Sequence, residues 1–285
     1  MKLTAKTTDE VIDLALAEDL GAGDITTDAL ISDDWSGRAS FVAKAEGVLA
    51  GIEIAGRVFR RVDSTTRVEI FLQDGARLTQ GDMIGAVTGR LSSIFKAERT
   101  GLNFLQHLSG IASETARYVA AVNGLPVKIL DTRKTLPGLR ALEKHAVLMG
   151  GGQNHRMHLG DGVLIKDNHL EALYEQGFSL NDIIAKARQR TSAQLKIEVE
   201  ARTLDETRQA AEAGADIILL DNMSPEVMRQ AVKLIDKRAL VEASGGITLA
   251  NARAVAESGV DLISVGALTH SAKALDISLE FETPD

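Results

Sequence analysis

The chain has 285 residues, no cysteine and a formal net charge of −8. The missing cysteines exclude disulfides, thiolate metal sites and a cysteine nucleophile, and they fit a reducing compartment. An acidic balance with only 4% aromatic residues argues against a nucleic-acid binder, which needs basic surface and stacking rings.

The stretch from Met1 to Leu20 carries Val11, Ile12, Leu14, Ala15, Leu16 and Leu20, interrupted by Asp13, Glu18 and Asp19. This pattern predicts an amphipathic helix and not the unbroken apolar core of a signal peptide. No apolar run approaches bilayer-spanning length, so the sequence reads as cytoplasmic. A turn follows at Gly21-Ala22-Gly23-Asp24. Strands are predicted at 39–45, 67–72 and 83–87, with helices over 52–62 and 92–108. The second helix has an apolar face of Ile94, Ala97, Gly101, Phe104, Leu105 and Leu108. Arg99 falls off that stripe. The turns at Asp74-Gly75 and Gly81-Asp82 resemble those of a biotinyl-like sandwich without its carrier lysine, and are read as β-turn chemistry.

From Ile111 the rhythm changes. Short apolar runs at 127–130, 162–165, 197–199, 217–220, 240–242 and 262–265 alternate with helical stretches at 180–190, 204–213, 224–234 and 249–258. Repeated strand–helix units predict a parallel sheet covered by helices. Spread over about 160 residues with no dinucleotide fingerprint, they favour a barrel. Almost every run ends in polar residues. Leu130 leads into Asp131-Thr132-Arg133-Lys134 and Ile165 into Lys166-Asp167-Asn168-His169. Val199 leads into Glu200, Leu220 into Asp221, Glu242 into Ser244, and Val265 into Gly266. In a barrel these ends converge on the face that carries the active site.

The span from Asp131 to His169 is a basic, histidine-rich island in an acidic protein, and points to an anionic ligand. Arginine grips carboxylate and phosphate through a planar fork, and lysine adds a point charge. Arg133, Lys134, Arg156 and Lys166 stand at or near strand ends and are the candidates. Arg140, Glu143 and Lys144 read instead as a solvated helix face, and His107 as helix surface or core. His155 and His158 have ligand-like spacing but no evident third ligand, which argues against zinc. His155 with Arg156 is expected to line the anion site. Glu200 and Asp221 can bind sugar hydroxyls, hold magnesium through a polyphosphate or oppose a developing cation, or they can simply pair with Lys166 or Arg133. The glycines at Gly150-Gly151-Gly152, Ser244-Gly245-Gly246 and Val265-Gly266-Ala267 allow backbone N–H groups to approach an oxyanion.

These residues resemble a known family. The run from Asp131 to Arg140 (DTRKTLPGLR) is similar to the signature of the quinolinate phosphoribosyltransferases. So are Gly150-Gly151-Gly152, Asn154-His155-Arg156, the run from Leu164 to His169, and Ile197-Glu198-Val199-Glu200. Leu219-Leu220-Asp221-Asn222-Met223, the run from Glu242 to Ile247, and Gly23-Asp24-Ile25-Thr26-Thr27 complete the likeness. The resemblance implies an N-terminal α/β sandwich domain (residues 1–110), a C-terminal incomplete α/β barrel (111–272) and a tail (273–285) returning toward the first domain. It implies a homodimer or a multiple of dimers, each barrel mouth closed by the partner. Arg133, Lys134, Arg156 and Lys166 would contact quinolinate and phosphates, with Thr132 and His155 beside them and Arg99 reaching in from the neighbouring subunit. Glu200 and Asp221 would face the ribose and a magnesium ion carried by phosphoribosyl pyrophosphate. Ser244, Gly245, Gly246, Val265 and Gly266 would form the phosphate loops. Lys134, Lys166, Glu200 and Asp221 are the expected catalytic set, with no organic cofactor, no nucleic acid and no membrane involved.

Three rival readings differ in what they leave unexplained. A phosphoribosyltransferase-like protein of molybdate-transport systems is disfavoured by the complete Asn154-His155-Arg156 and Lys166–His169 motifs. A sugar-phosphate isomerase or lyase barrel does not need four basic strand-end residues. A non-catalytic nucleotide-binding regulator would tolerate loss of a lysine or an acid, and none is missing.

Overall fold

The structure is a computed structural model that describes residues 5–282, with side chains from Thr8 onward. The first four residues of the N-terminal stretch and residues 283–285 of the tail lie outside the described residues. In chain order the elements are α1 (Ala5–Leu20), α2 (Ile25–Leu30), β1 (Ser36–Ala43), β2 (Gly47–Val48), α3 (Ile52–Val62), β3 (Arg67–Ile70), β4 (Arg77–Leu78), β5 (Met83–Arg90) and α4 (Leu91–Ala121). There follow β6 (Lys128–Leu130), α5 (Arg140–Met149), β7 (Val163–Ile165), α6 (Asp167–Tyr174), α7 (Leu180–Arg190), β8 (Ile197–Ala201), α8 (Leu204–Glu212), β9 (Ile217–Asp221), α9 (Pro225–Ile235), β10 (Leu240–Ser244), α10 (Leu249–Ala256), β11 (Leu262–Ser264), α11 (Ala267–His270) and β12 (Ile277–Phe281).

The chain forms two compact units. One comprises the described parts of Met1–Ala116, Thr135–Gly151 and Leu268–Asp285, the other Arg117–Lys134 and Gly152–Ala267. The first unit holds an antiparallel sheet in the order β12-β1-β5-β3. Alternation puts Ala39, Phe41 and Ala43 of β1 in the core. There Phe41 meets Phe59 of α3 edge-on, with ring centroids 5.7 Å apart. Asp24 caps α2 by accepting the Thr27 N–H at 3.0 Å, which turns the Gly21–Asp24 segment into a helix start.

Two expectations for this unit are corrected. Helix α4 spans 31 residues and does not stop near Leu108. Its apolar stripe continues through buried Ile111, Ala112 and Tyr118, with Thr115 bonded back to the Ile111 carbonyl, so no end signal exists there. Nor is α5 a solvated face at Glu143 and Lys144, because both side chains are fully buried. Glu143 accepts from His107 Nε2 at 2.9 Å and from the Leu136 N–H at 3.2 Å. A carboxylate with such donors can be buried where an unpaired one cannot. Gly150 serves packing between α5 and α4: a Cβ there would stand 2.3 Å from the Ala112 carbonyl oxygen.

The second unit holds a six-stranded parallel sheet, β6-β11-β10-β9-β8-β7, with helices in the connections. Among the described residues β6 and β7 do not pair with one another, so this is an incomplete barrel. Ser179, Thr203 and Ser224 cap α7, α8 and α9 through side-chain oxygens; Thr203 and Ser224 sit at a strand-to-helix change of direction and Ser179 between α6 and α7. The register pairs Glu200 with Leu219, Leu219 with Glu242, and Glu242 with Leu262. Residues at these positions and two further along each strand share the inner face.

Candidate active site

That parity builds a cavity of about 380 Å³ at the C-terminal ends of the strands. Leu164, Lys166, Glu200, Leu219, Asp221, Glu242, Ser244 and Ser264 line it from the strands and their ends. Thr132, Arg133 and Lys134 enter after β6, and the Thr132 hydroxyl accepts the Lys134 N–H at 3.0 Å. His155 and Arg156 arrive on a segment that extends the sheet beside β6. The Gln153 N–H donates to the Ile129 carbonyl at 2.8 Å, and buried Asp131 accepts the His155 N–H at 2.9 Å. Lys166 is held at the start of α6, where its N–H donates to His169 Nδ1 at 3.0 Å.

One wall of the cavity is cationic. Arg156 donates to the Gly162 carbonyl at 3.1 Å. Its pKa is lowered, first by burial and then by Arg133 beside it, although Glu198 opposes the shift. Neighbouring guanidiniums in a partly dry cavity repel unless an anion separates them, so this wall favours a ligand with carboxylate or phosphate oxygens.

The same lining carries two acids, Glu200 and Asp221. Burial raises the pKa of Glu200, and Asp221 and Asp167 push it further up while Lys166 and Arg202 oppose them. Within 4 Å both acids meet Arg202: its Nη2 stands 3.7 Å from Glu200 Oε1 and its Nε 3.5 Å from Asp221 Oδ2. The alternative that these acids simply pair with Lys166 or Arg133 is met in part: Arg202 is the cation within 4 Å of both, and the Lys166 charge also acts on Glu200. Gly245 has φ +83°, and a Cβ on it would lie 2.5 Å from Asn222 Oδ1 and 2.9 Å from Asp221 Oδ1. The missing side chain therefore makes room for Asp221-Asn222. Oxygen donors from two adjacent strands suit a hard cation such as magnesium, which usually brings part of its shell from phosphate and water.

The site also holds a group that sequence reasoning missed. His155 Nε2 is 3.3 Å from Glu198 Oε2 and 3.5 Å from Glu242 Oε2, and both acids are buried. Glu198 Oε1 and both Glu242 oxygens have no hydrogen-bond partner. The three ligand-type atoms fall within 4.8 Å of one another. Burial alone would lower the pKa of His155, but the Glu198 and Glu242 carboxylates that face its ring outweigh it and push it up to about 10. Burial also raises Glu198. The Arg156 N–H donates to His155 Nδ1 at 2.8 Å, which leaves the ring proton on Nε2 facing the carboxylates. A fully protonated ring would have to give up that contact. Protonated on both nitrogens, the ring is the counter-charge of the two carboxylates. A second cavity, of about 280 Å³, opens at the strand starts and shares His155, Arg156 and Glu242 as its boundary. His158 turns away to Asp161 at 2.9 Å, so it makes no pair with His155.

One cavity thus gathers Thr132, Arg133, Lys134, His155, Arg156, Lys166, Glu200, Asp221 and Ser244. Gly245 and Gly246 follow Ser244 with positive φ. Val265 is buried, and its N–H donates to the Leu130 carbonyl at 2.9 Å, which leaves Gly266 next in the chain. Arg99 is exposed on α4 and does not line the cavity. Of the missed residues, Glu242 follows from strand parity. Arg202 carried no signal beyond standing directly after a strand.

Comparison with known proteins agrees with the architecture. Residues 24–109 match the N-terminal domain of quinolinate phosphoribosyl transferase and residues 111–280 its C-terminal domain. The chain is 43% identical to the quinolinate phosphoribosyltransferase [decarboxylating] 2, mitochondrial, of Nicotiana glauca, over 96% of this chain and 82% of that protein. It is also 43% identical to the probable nicotinate-nucleotide pyrophosphorylase [carboxylating] of Bacillus subtilis, over 92% of this chain and 89% of that one. The crystal structure of NadC from Streptococcus pyogenes superposes with a TM-score of 0.93 at 41% identity, covering 99% of this chain and all of that one.

Proposed function

Because this chain belongs to the quinolinate phosphoribosyltransferase family, we propose that the cavity at its strand ends is where the family reaction takes place. The enzyme is a decarboxylating phosphoribosyltransferase of NAD biosynthesis. It joins quinolinate to phosphoribosyl pyrophosphate and yields nicotinate mononucleotide, pyrophosphate and carbon dioxide. The observation that carries the placement is the gathering of four cations, Arg133, Lys134, Arg156 and Lys166, and two acids, Glu200 and Asp221, in one cavity.

The residues divide the work by charge. Arg133 and Arg156 bind the two carboxylates and orient the ring nitrogen toward the anomeric carbon. That nitrogen attacks as the bond to pyrophosphate breaks, and Lys134 and Lys166 neutralise charge growing on the leaving oxygens. Glu200 and Asp221 oppose positive charge developing on the sugar. The product ring nitrogen is cationic, so the 2-carboxylate leaves as carbon dioxide and its electron pair stays on C2 as a stabilised ylide, which then takes up a proton. Ser244, Gly245, Gly246, Val265 and Gly266 supply the phosphate loops. Glu200 and Asp221 also hold the magnesium that arrives with the donor, which supplies charge neutralisation when bound. Arg99 acts on the site of a partner subunit in a homodimer, a role supported by its exposure and by its absence from the cavity lining. The functional domains divide near residues 110 and 272, and the enzyme works in the cytoplasm.

The test is direct. Protein, quinolinate, phosphoribosyl pyrophosphate and magnesium are expected to yield carbon dioxide and nicotinate mononucleotide in equal amounts. Nicotinate is expected to be a poor substrate, because it lacks the 2-carboxylate that the half-buried guanidiniums of Arg133 and Arg156 would bind. Comparable turnover of the two acids would refute the two-carboxylate reading.

A further inference from the structure

Arg202 is the first residue after β8 and stands at the cavity mouth, half exposed. Its backbone N–H donates to Glu206 Oε2 at 2.6 Å, so its main chain is pinned. Its guanidinium reaches three carboxylates on three elements, α6, β8 and β9. It hydrogen-bonds Asp167, while Glu200 and Asp221 stand further off, at 3.7 and 3.5 Å. The close contact is an anchor, and the two longer ones are Coulombic contacts that a small rotation about the side chain gives up.

A divalent cation shared by Glu200 and Asp221 needs their oxygens at about 2 Å. A guanidinium already between those acids cannot remain there when such an ion enters. We propose that Arg202 is the resident counter-ion of Glu200 and Asp221 in the free enzyme, and that it yields to the divalent cation only when a polyphosphate enters with it. Arg202 then stays on Asp167 and turns its free N–H groups to phosphate oxygens. The exchange moves no charge into an uncompensated place. Before entry, Arg202 serves both acids, with the Lys166 charge also acting on Glu200. After entry, the cation serves the acids and the arginine serves the added anion. Cation and polyphosphate are thereby coupled, each favouring the other. The inference rests on the reading of Glu200 and Asp221 as the cation's acids. It adds a residue that sets when the cation can bind.

The experiment is Mn2+ binding to the whole protein, followed by the spin-resonance signal of free Mn2+, with and without inorganic pyrophosphate. Wild type is expected to bind Mn2+ weakly alone and more tightly with pyrophosphate. Arg202→Gln removes a unit charge about 4 Å from the ion position, and is expected to tighten Mn2+ binding to the free protein about tenfold. The same substitution is expected to shrink the enhancement by pyrophosphate. Arg202→Lys keeps the charge and is expected to stay near wild type. A merely structural arginine would weaken both measurements together, and circular dichroism reads the fold of each variant. Unchanged or weaker Mn2+ binding in free Arg202→Gln, an undiminished pyrophosphate effect, or Arg202→Lys behaving as Arg202→Gln would each overturn the exchange. Wild type that turns over but holds no Mn2+ even with pyrophosphate would overturn the cation assignment and the exchange with it. Absence of turnover in wild type would overturn the functional reading itself.

Discussion

Replacing Glu242 with Gln tests the buried proton beneath the site. In the folded protein the His155 pKa is pushed up from 6.5 to about 10, against the desolvation that opposes it, by Glu198 and Glu242. The folded pKa lies above the unfolded one. The stabilisation is therefore complete below about pH 6.5 and is lost as pH rises toward 10. At ~1.4 kcal/mol for each tenfold in proton affinity, the full effect is on the order of 5 kcal/mol as an upper bound. His155 has a side chain only 13% exposed, so solvent screens little of it. Two carboxylates share the effect, at 3.3 and 3.5 Å. Removing one is expected to reduce the loss of stability between pH 7 and 9.5 by about 1–2 kcal/mol. For units of this size that corresponds to a fall in melting temperature smaller by about 3–6 °C. The assay is thermal unfolding by circular dichroism at several pH values, wild type beside Glu242→Gln, with the histidine ring resonances titrated by NMR. A melting temperature falling equally in both proteins, or a His155 resonance titrating near 6.5 in wild type, would refute the reasoning.

Lys134→Ala and Lys166→Ala are each expected to lower turnover by about 10²–10³ while the melting temperature changes little, since both side chains are exposed; near-normal turnover would return that lysine to a surface role. Gly245→Ala is expected to cost about 1–2 kcal/mol from its φ of +83°, and to lower activity by displacing Asp221, measured by melting temperature and by kcat. Gly246→Ala, with φ +62° but its nearest neighbour at 3.7 Å, is expected to lower the melting temperature through backbone strain without displacing Asp221. Arg99→Ala and Lys134→Ala, each nearly inactive alone, are expected to recover about a quarter of wild-type activity when unfolded and refolded together in equal amounts. No recovery despite demonstrated subunit exchange would place Arg99 outside a shared site.

Much of the site is legible in the amino-acid sequence because a parallel strand advertises where it ends. The apolar runs closing in Thr132–Lys134, Lys166, Glu200, Asp221 and Ser244 require only the rule that strand ends of a barrel converge. The motif order adds His155 and Arg156, which no periodicity would have placed. What stays hidden depends on distances that no local pattern encodes. Glu198 and Glu242 belong to strands separated by β9 and meet over His155 only through the register of the sheet. Glu143 and Lys144 look like solvated helix residues, since charge within one helix carries no sign of what packs on it. The full length of α4 is missed because its stripe runs on without a cap, and local sequence marks a helix end only where a stop signal stands. Arg202 precedes a capping Thr203 and looks like loop, yet the fold sets it among Asp167, Glu200 and Asp221. Sequence by itself determined which side chains stand at strand ends, since that follows from covalent order and a period of two. Tertiary structure decided which of them share a proton or a counter-ion, because that depends on separations of 3–4 Å between strands and loops remote along the chain.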